Sequence, residues 1–171
     1  REKIHCVSIS NIPLLNQYFQ NRAALSLSGP GSYHIHQHQQ PLIIPFTMER
    51  GKPCLAAKLN DKPVRMLIDN GSLWDELFLF DSPQIEALQL PPAQDVQVGG
   101  SGEGDAVTMY ATNNLQLSFP GIDFIDQPGI VVQPGSGFAQ MFSADGQVSS
   151  LLFKHFIVDF NWKRQEITLH Q

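Results

Sequence analysis

Charge is scarce in this chain. Asp, Glu, Lys and Arg make up 16% of 171 residues, for a formal net charge of -5. The 11 Lys and Arg residues never gather into a basic stripe, which argues against nucleic acid as the main partner. Long apolar runs are absent too: nothing approaches the roughly 18 consecutive apolar residues of a membrane-spanning helix. Cysteine is limited to Cys6 and Cys54, too few and too far apart for a zinc site. Either they join in one disulfide, as in an exported protein, or both are buried free thiols. The opening Arg1-Glu2-Lys3 has neither a Met nor a signal-like apolar stretch, and reads as a processed or trimmed chain with any targeting segment out of view. The sequence leaves the location open, with a periplasmic or secreted one favoured. What remains, with 42% apolar residues, is an ordinary globular composition with length for one core.

Residues 1–40 carry the weakest pattern and are expected to form an N-terminal extension: an added strand, an arm or a pro-segment. Ser28-Gly29-Pro30-Gly31-Ser32 is a turn or joint. His34, His36 and His38 follow with a spacing of two, which on a strand puts all three imidazoles on one face. Such a face could hold zinc, but no carboxylate or cysteine sits beside it, and a polar, solvated strand or linker is the simpler expectation. From Pro41 to Gln171 a single domain is expected. Leu42 to Met48, Cys54 to Leu59 and Val64 to Ile68 read as strands, separated by Glu49-Arg50-Gly51-Lys52 and by the polar turn Asn60-Asp61-Lys62-Pro63. Leu73 to Phe80 reads as a further core strand. Ser82-Pro83, followed by Glu86, marks the start of a short helix to about Leu90.

Val96 to Val98 and Val107 to Tyr110 flank the glycine-rich stretch Gly99-Gly100-Ser101-Gly102-Glu103-Gly104, the pattern of a hairpin with a mobile tip. No Lys-Ser/Thr and no helix pattern follow it, so a phosphate-binding role has little support. Leu115 to Phe119 and Ile130 to Val132 are short strands, and Leu151 to Phe156 is one or two helical turns. Ile157 to Phe160 and Glu166 to Leu169 close the chain as a hairpin. Many short strands joined by turns predict an all-β, closed or barrel-like domain with one or two short helices.

The stretch Met66-Leu67-Ile68-Asp69-Asn70-Gly71-Ser72 stands out. A buried strand ends in a carboxylate and runs straight into a glycine turn. An Asp there is partly desolvated, an environment that tunes a carboxyl group for proton transfer. The plain alternative is a turn residue bonding its own backbone, the commonest role of Asp before Asn-Gly. Ser72 then satisfies the loop. Asn70-Gly71-Ser72 also spells a glycosylation acceptor, though a core turn is a poor place for one.

Three features in order resemble the single-domain, retropepsin-like aspartic proteases of the bacterial type, from about Leu42 to Leu169. They are Leu67-Ile68-Asp69-x-Gly71-Ser72, the glycine-rich hairpin, and Asp145-Gly146-Gln147-Val148-Ser149 leading into Leu152-Phe153-Lys154-His155-Phe156 and the final hairpin. The resemblance implies a retropepsin-like closed barrel. It makes Asp69 the catalytic acid/base, with Asn70, Gly71, Ser72, Val148 and Ser149 supporting the loop and Gly99, Gly100, Ser101, Gly102, Glu103 and Gly104 forming a substrate-covering flap. The chain departs from the family pattern where Asn70 replaces a hydroxyl residue, Ser149 a glycine and Gln147 an apolar residue. If the glycine serves a close backbone approach, Ser149 forces a rearrangement.

The chemistry implied is peptide-bond hydrolysis by two aspartates that share a proton and activate water, with no cofactor and no metal. Asp145 and Asp159 sit in the wrong contexts for a second aspartate, so a symmetric homodimer contributing Asp69 twice is expected, acting on a peptide or protein substrate. The alternative is a catalytically degenerate relative that binds peptide or a protein partner without cleaving it.

Overall fold

The computed structural model describes residues 32–35, 41–72, 75–98, 107–135 and 142–170. In chain order the elements are β1 Ser32–Ile35, β2 Leu42–Glu49, β3 Lys52–Leu59, β4 Lys62–Asp69, β5 Leu77–Leu79, α1 Pro83–Glu86, β6 Gln94–Val98, β7 Val107–Phe119, β8 Ile122–Val132, β9 Gly146–Ser149, a 3-10 turn Ser150–Phe153, β10 Ile157–Asn161 and β11 Glu166–His170. The all-β fold expected from the sequence is the one observed. Six strands close a barrel in the order β3-β4-β9-β5-β8-β7, and β7 returns to β3 through the pairs Lys58–Ser118 and Leu59–Leu117. Outside this ring, β2, β11 and β10 continue the sheet from β3, while β6 flanks β7. From the expected N-terminal extension, β1 adds a strand antiparallel to the start of β8.

Turn chemistry sets the register that matters for the site. Arg50 and Gly51 take φ of 45° and 82°, and Asn60 and Asp61 take 46° and 64°. Two successive left-handed residues make the tight hairpin turn whose twist matches that of paired strands. The result is a β2–β3–β4 meander with Glu49 opposite Lys52 and Cys54 opposite Leu67. Period-two alternation then sorts the side chains. Leu55, Ala57 and Leu59 of β3 and Val64, Met66 and Ile68 of β4 fill the barrel interior. Phe153, 1% exposed, seals one end edge-on to Phe124 and tilted on Phe119.

Several boundaries differ from expectation. The strand expected over Leu73–Phe80 is only Leu77–Leu79, and Leu73 and Trp74 lie outside the described residues. The helix expected to reach Leu90 ends at Glu86, capped at its start by the Ser82 hydroxyl, which accepts from Ile85 N. Pro91 biases Leu90 away from helical angles, and Gln89 turns the chain with φ of 49° so that Leu90 is buried. The two strands expected at 107–110 and 115–119 are one 13-residue strand with register shifts between Thr112 and Leu117. β8 begins at Ile122, not Ile130: Asp126, with φ of 54°, interrupts an alternation that Ile122 and Phe124 had already begun. β9 had no strand expectation at all.

Candidate functional site

Asp69 is the last residue of β4, and β9 runs parallel beside it with Ile68 opposite Val148 and Asp69 opposite Ser149. Gly146 makes that neighbour possible. A Cβ there would lie 2.6 Å from the Phe78 carbonyl oxygen of β5, so only glycine lets β9 slot between β4 and β5. The close approach thus falls at Gly146, three residues before the position where the sequence suggested strain. Ser149 is accommodated without rearrangement: its hydroxyl donates to the Ser72 carbonyl (3.0 Å) and accepts from Leu151 N (3.2 Å), capping the 3-10 turn. Val148, 1% exposed, packs into the core behind the loop.

The Asp69–Ser72 loop closes on itself through Ser72 N to Asp69 O at 3.2 Å. The Asp69 side chain, 26% exposed, has both oxygens engaged. Gly71 N donates to Oδ1 at 3.0 Å, and Lys52 Nζ donates to Oδ2 at 3.0 Å. Asn70 is half-buried in the turn, and its Oδ1 finds no hydrogen-bond partner among the described residues. A carboxylate so placed can accept a proton or hold a water, while the loop behind it is fixed by backbone and hydroxyl contacts.

Lys52 is the member of the site that sequence reasoning missed. A signal existed: the two-residue turn at Asn60–Asp61 fixes the β3–β4 register, and two positions beyond the Cys54–Leu67 pair stand Lys52 and Asp69. Both therefore project from the same outer face of the meander as Glu49, Arg65 and Leu67. Glu49 lies opposite Lys52 yet bonds elsewhere. Its Oε2 takes Arg65 Nη2 at 2.8 Å, and its Oε1 takes the Ser143 hydroxyl at 2.6 Å and the Ser143 N–H. Arg65 Nη1 in turn donates to the Ser143 carbonyl. The hydrogen bond from the Ser143 hydroxyl, opposed by desolvation and reinforced by Ser143 N–H and Arg65, holds the Glu49 carboxyl below its ordinary range. The strap Phe142–Asp145 is thus tied across the outer face. Phe142 stacks on Phe80 (5.7 Å between centroids) and lies 5.7 Å from Lys52 Nζ.

The other acidic candidates stay away from Asp69. Asp145 is buried and serves the strap: its Oδ2 accepts from Arg65 N and its own N–H donates to Arg65 O, both at 2.8 Å. Asp159 pairs with His170 at 3.0 Å across the β10–β11 hairpin. Cys54 is a buried free thiol whose pKa is raised by burial, while Cys6 lies outside the described residues. The strands framing the glycine-rich stretch pair as expected, from Gln94–Ala111 to Val98–Val107. Gly99, Gly100, Ser101, Gly102, Glu103 and Gly104 lie outside the described residues, as do His36 and His38; His34 belongs to β1. A cleft of about 240 Å³ opens between α1 and the ends of β7 and β8, among Phe80, Ile85, Leu90, Tyr110 and Val132. Among the described residues, no helix is long and apolar enough to cross a membrane.

No protein-family model matches the chain, and no curated protein matches it in sequence. Among solved structures it is similar to a retropepsin-like aspartic protease from Rickettsia conorii, at 14% identity and a TM-score of 0.46, over 83% of this chain and 96% of that one. It is also similar to the EIAV protease complexed with the inhibitor HBY-793, at 18% identity and a TM-score of 0.41, over 62% of this chain and 88% of that one.

Proposed function

We propose that the chain is an aspartic-type peptidase whose active site is completed when two copies bring their Asp69 loops together. The observation that carries this reading is the placement of Asp69. It ends a buried barrel strand, keeps a quarter of its side chain (26%) open, and sits on a loop pinned by Gly71 N–H, Ser149 and the β9 backbone. Chemically, one carboxylate removes a proton from water while the other, protonated, polarises the scissile carbonyl. We assign one such group to a single chain, Asp69, since Asp145 and Asp159 are committed to Arg65 and His170. Two-fold symmetry supplies the second. In this reading Gly99 to Gly104 cover an extended peptide, and Asn70, Gly71, Ser72, Val148 and Ser149 hold the loop.

The test is cleavage of a diverse peptide library from acidic to neutral pH, with Asp69→Asn as the control. Turnover that this substitution abolishes, and that a statine-type transition-state mimic blocks, supports the reading. A dimeric protein that cleaves nothing in the library rejects it.

A second reading, a peptide- or protein-binding relative that does not cleave, draws on two specific observations. Asn70 stands where the resembled family keeps a hydroxyl, and its Oδ1 has no partner among the described residues. Asp69 is also already paired with a cation. Binding of library peptides without turnover, unchanged in Asp69→Asn, would favour it.

A further inference from the structure

We propose that Lys52 is a positioning residue of the two-chain site: the counter-cation that lets two Asp69 carboxylates approach each other. The inference rests on the two-chain reading above and adds a residue outside the set that the resemblance implied.

Three observations carry it. The first is register: the β3–β4 pairing places Lys52 beside Asp69 on one face, and the ammonium lies 3.0 Å from Oδ2. The second is that two neighbouring carboxylates are engaged elsewhere. Glu49, which faces Lys52 across β2–β3, is bound to Arg65 and Ser143, and Asp145 is bound to the Arg65 backbone. The third is the seat: the Phe142 ring lies 5.7 Å from Nζ and is itself stacked on Phe80, so the cation is held by an element the strap fixes. A cation near an aromatic face gains from the ring's electron density.

The consequence for assembly is electrostatic. Two bare carboxylates brought into contact repel strongly, and like-charge juxtaposition across an interface is heavily penalised. Before the two aspartates take up their shared proton, loops that each bring an Asp69–Lys52 pair meet with no net charge, where unpaired loops would bring two negative charges. Lys52 thereby acts through Asp69 and touches no substrate in this scheme.

The experiment is sedimentation equilibrium of the full chain at neutral pH and low salt, comparing wild type with Lys52→Met, Lys52→Arg and the double variant Lys52→Met/Asp69→Asn. Lys52→Met is expected to weaken self-association by at least about tenfold, with the gap narrowing as salt screens the charges. Lys52→Arg should restore association, and so should the double variant, because it removes the charge that Lys52 balances. That second rescue is what a merely structural lysine would not give, and Lys52→Arg keeps the test valid if Lys52→Met folds poorly. Association of Lys52→Met as tight as wild type, or a loss that the double variant fails to recover, overturns the proposal while leaving the two-chain site standing. A wild type that is monomeric at every concentration overturns both. A dimer without peptidase activity rejects the peptidase reading alone, since association still decides the role of Lys52.

Discussion

The two faces of β4 are held by different physics. Val64, Met66 and Ile68 turn inward and belong to the apolar cluster of the barrel core. Arg65 and Asp69 turn outward, into a chain of directed bonds that runs from Glu49 through Arg65 and Ser143 to the strap, and from Lys52 to Asp69. Apolar burial is non-directional and scales with area, so the inner face secures the strand without specifying where its end points. Hydrogen bonds and ion pairs to half-exposed groups add little net stability but fix geometry. On the outer face Leu67 is itself buried against Cys54, Phe80 and Ala144, so apolar burial secures the strand from both sides while Arg65 and Asp69 add the positioning.

Substitutions on the two faces should keep that difference or erase it. The largest stability effect is expected from Met66→Ala, which empties a fully buried site and should lower unfolding free energy by about 2–5 kcal/mol, read by urea denaturation. Glu49→Ala should follow at about 1–3 kcal/mol, because Ser143 N–H and hydroxyl lose their acceptor. Its signature is pH dependence. A carboxyl held below its ordinary value binds fewer protons folded than unfolded. Its contribution is therefore in place above the ordinary value near 4.5 and is lost as pH falls through the lowered one. Thermal melts should show a shallower acid limb in Glu49→Ala than in wild type. Ser149→Ala, which removes the cap of the 3-10 turn and the bond to Ser72, should cost about 1 kcal/mol and broaden the amide resonances of the Asp69–Ser72 loop. Smallest is Asp69→Asn, at under about 1 kcal/mol, since the partners in its ion pair remain partly in solvent. Should Asp69→Asn destabilise as much as Met66→Ala, the two faces would not be distinct.

Much of this was legible in the sequence, and the failures have identifiable causes. The alternation through β2, β3 and β4 and the hairpin turns at Arg50–Gly51 and Asn60–Asp61 gave the meander and its delivery of Asp69. The β10–β11 hairpin was equally plain. β9 was hidden because a parallel pairing carries no turn of its own: Gly146 to Ser149 become a strand only because β4 and β5 stand on either side. The bulges of β7 and the left-handed Asp126 in β8 broke alternations that are continuous in space. At the site, Asp69 and its glycine turn were read from local chemistry. Lys52 was missed because its meaning depends on cross-strand register, not on neighbours in the chain.

The tie between Ser149 and Ser72 spans 77 residues, and that between Asp145 and Arg65 spans 80. Contacts this distant form late, after the intervening chain has been closed into a loop. During synthesis, residues 41–72 can assemble their meander while the Asp69 loop still lacks the strand that pins it. A chain truncated before Gly146 would keep the Lys52 and Gly71 contacts of Asp69 but lack the β9 backbone and the Ser149 tie that pin its loop from behind.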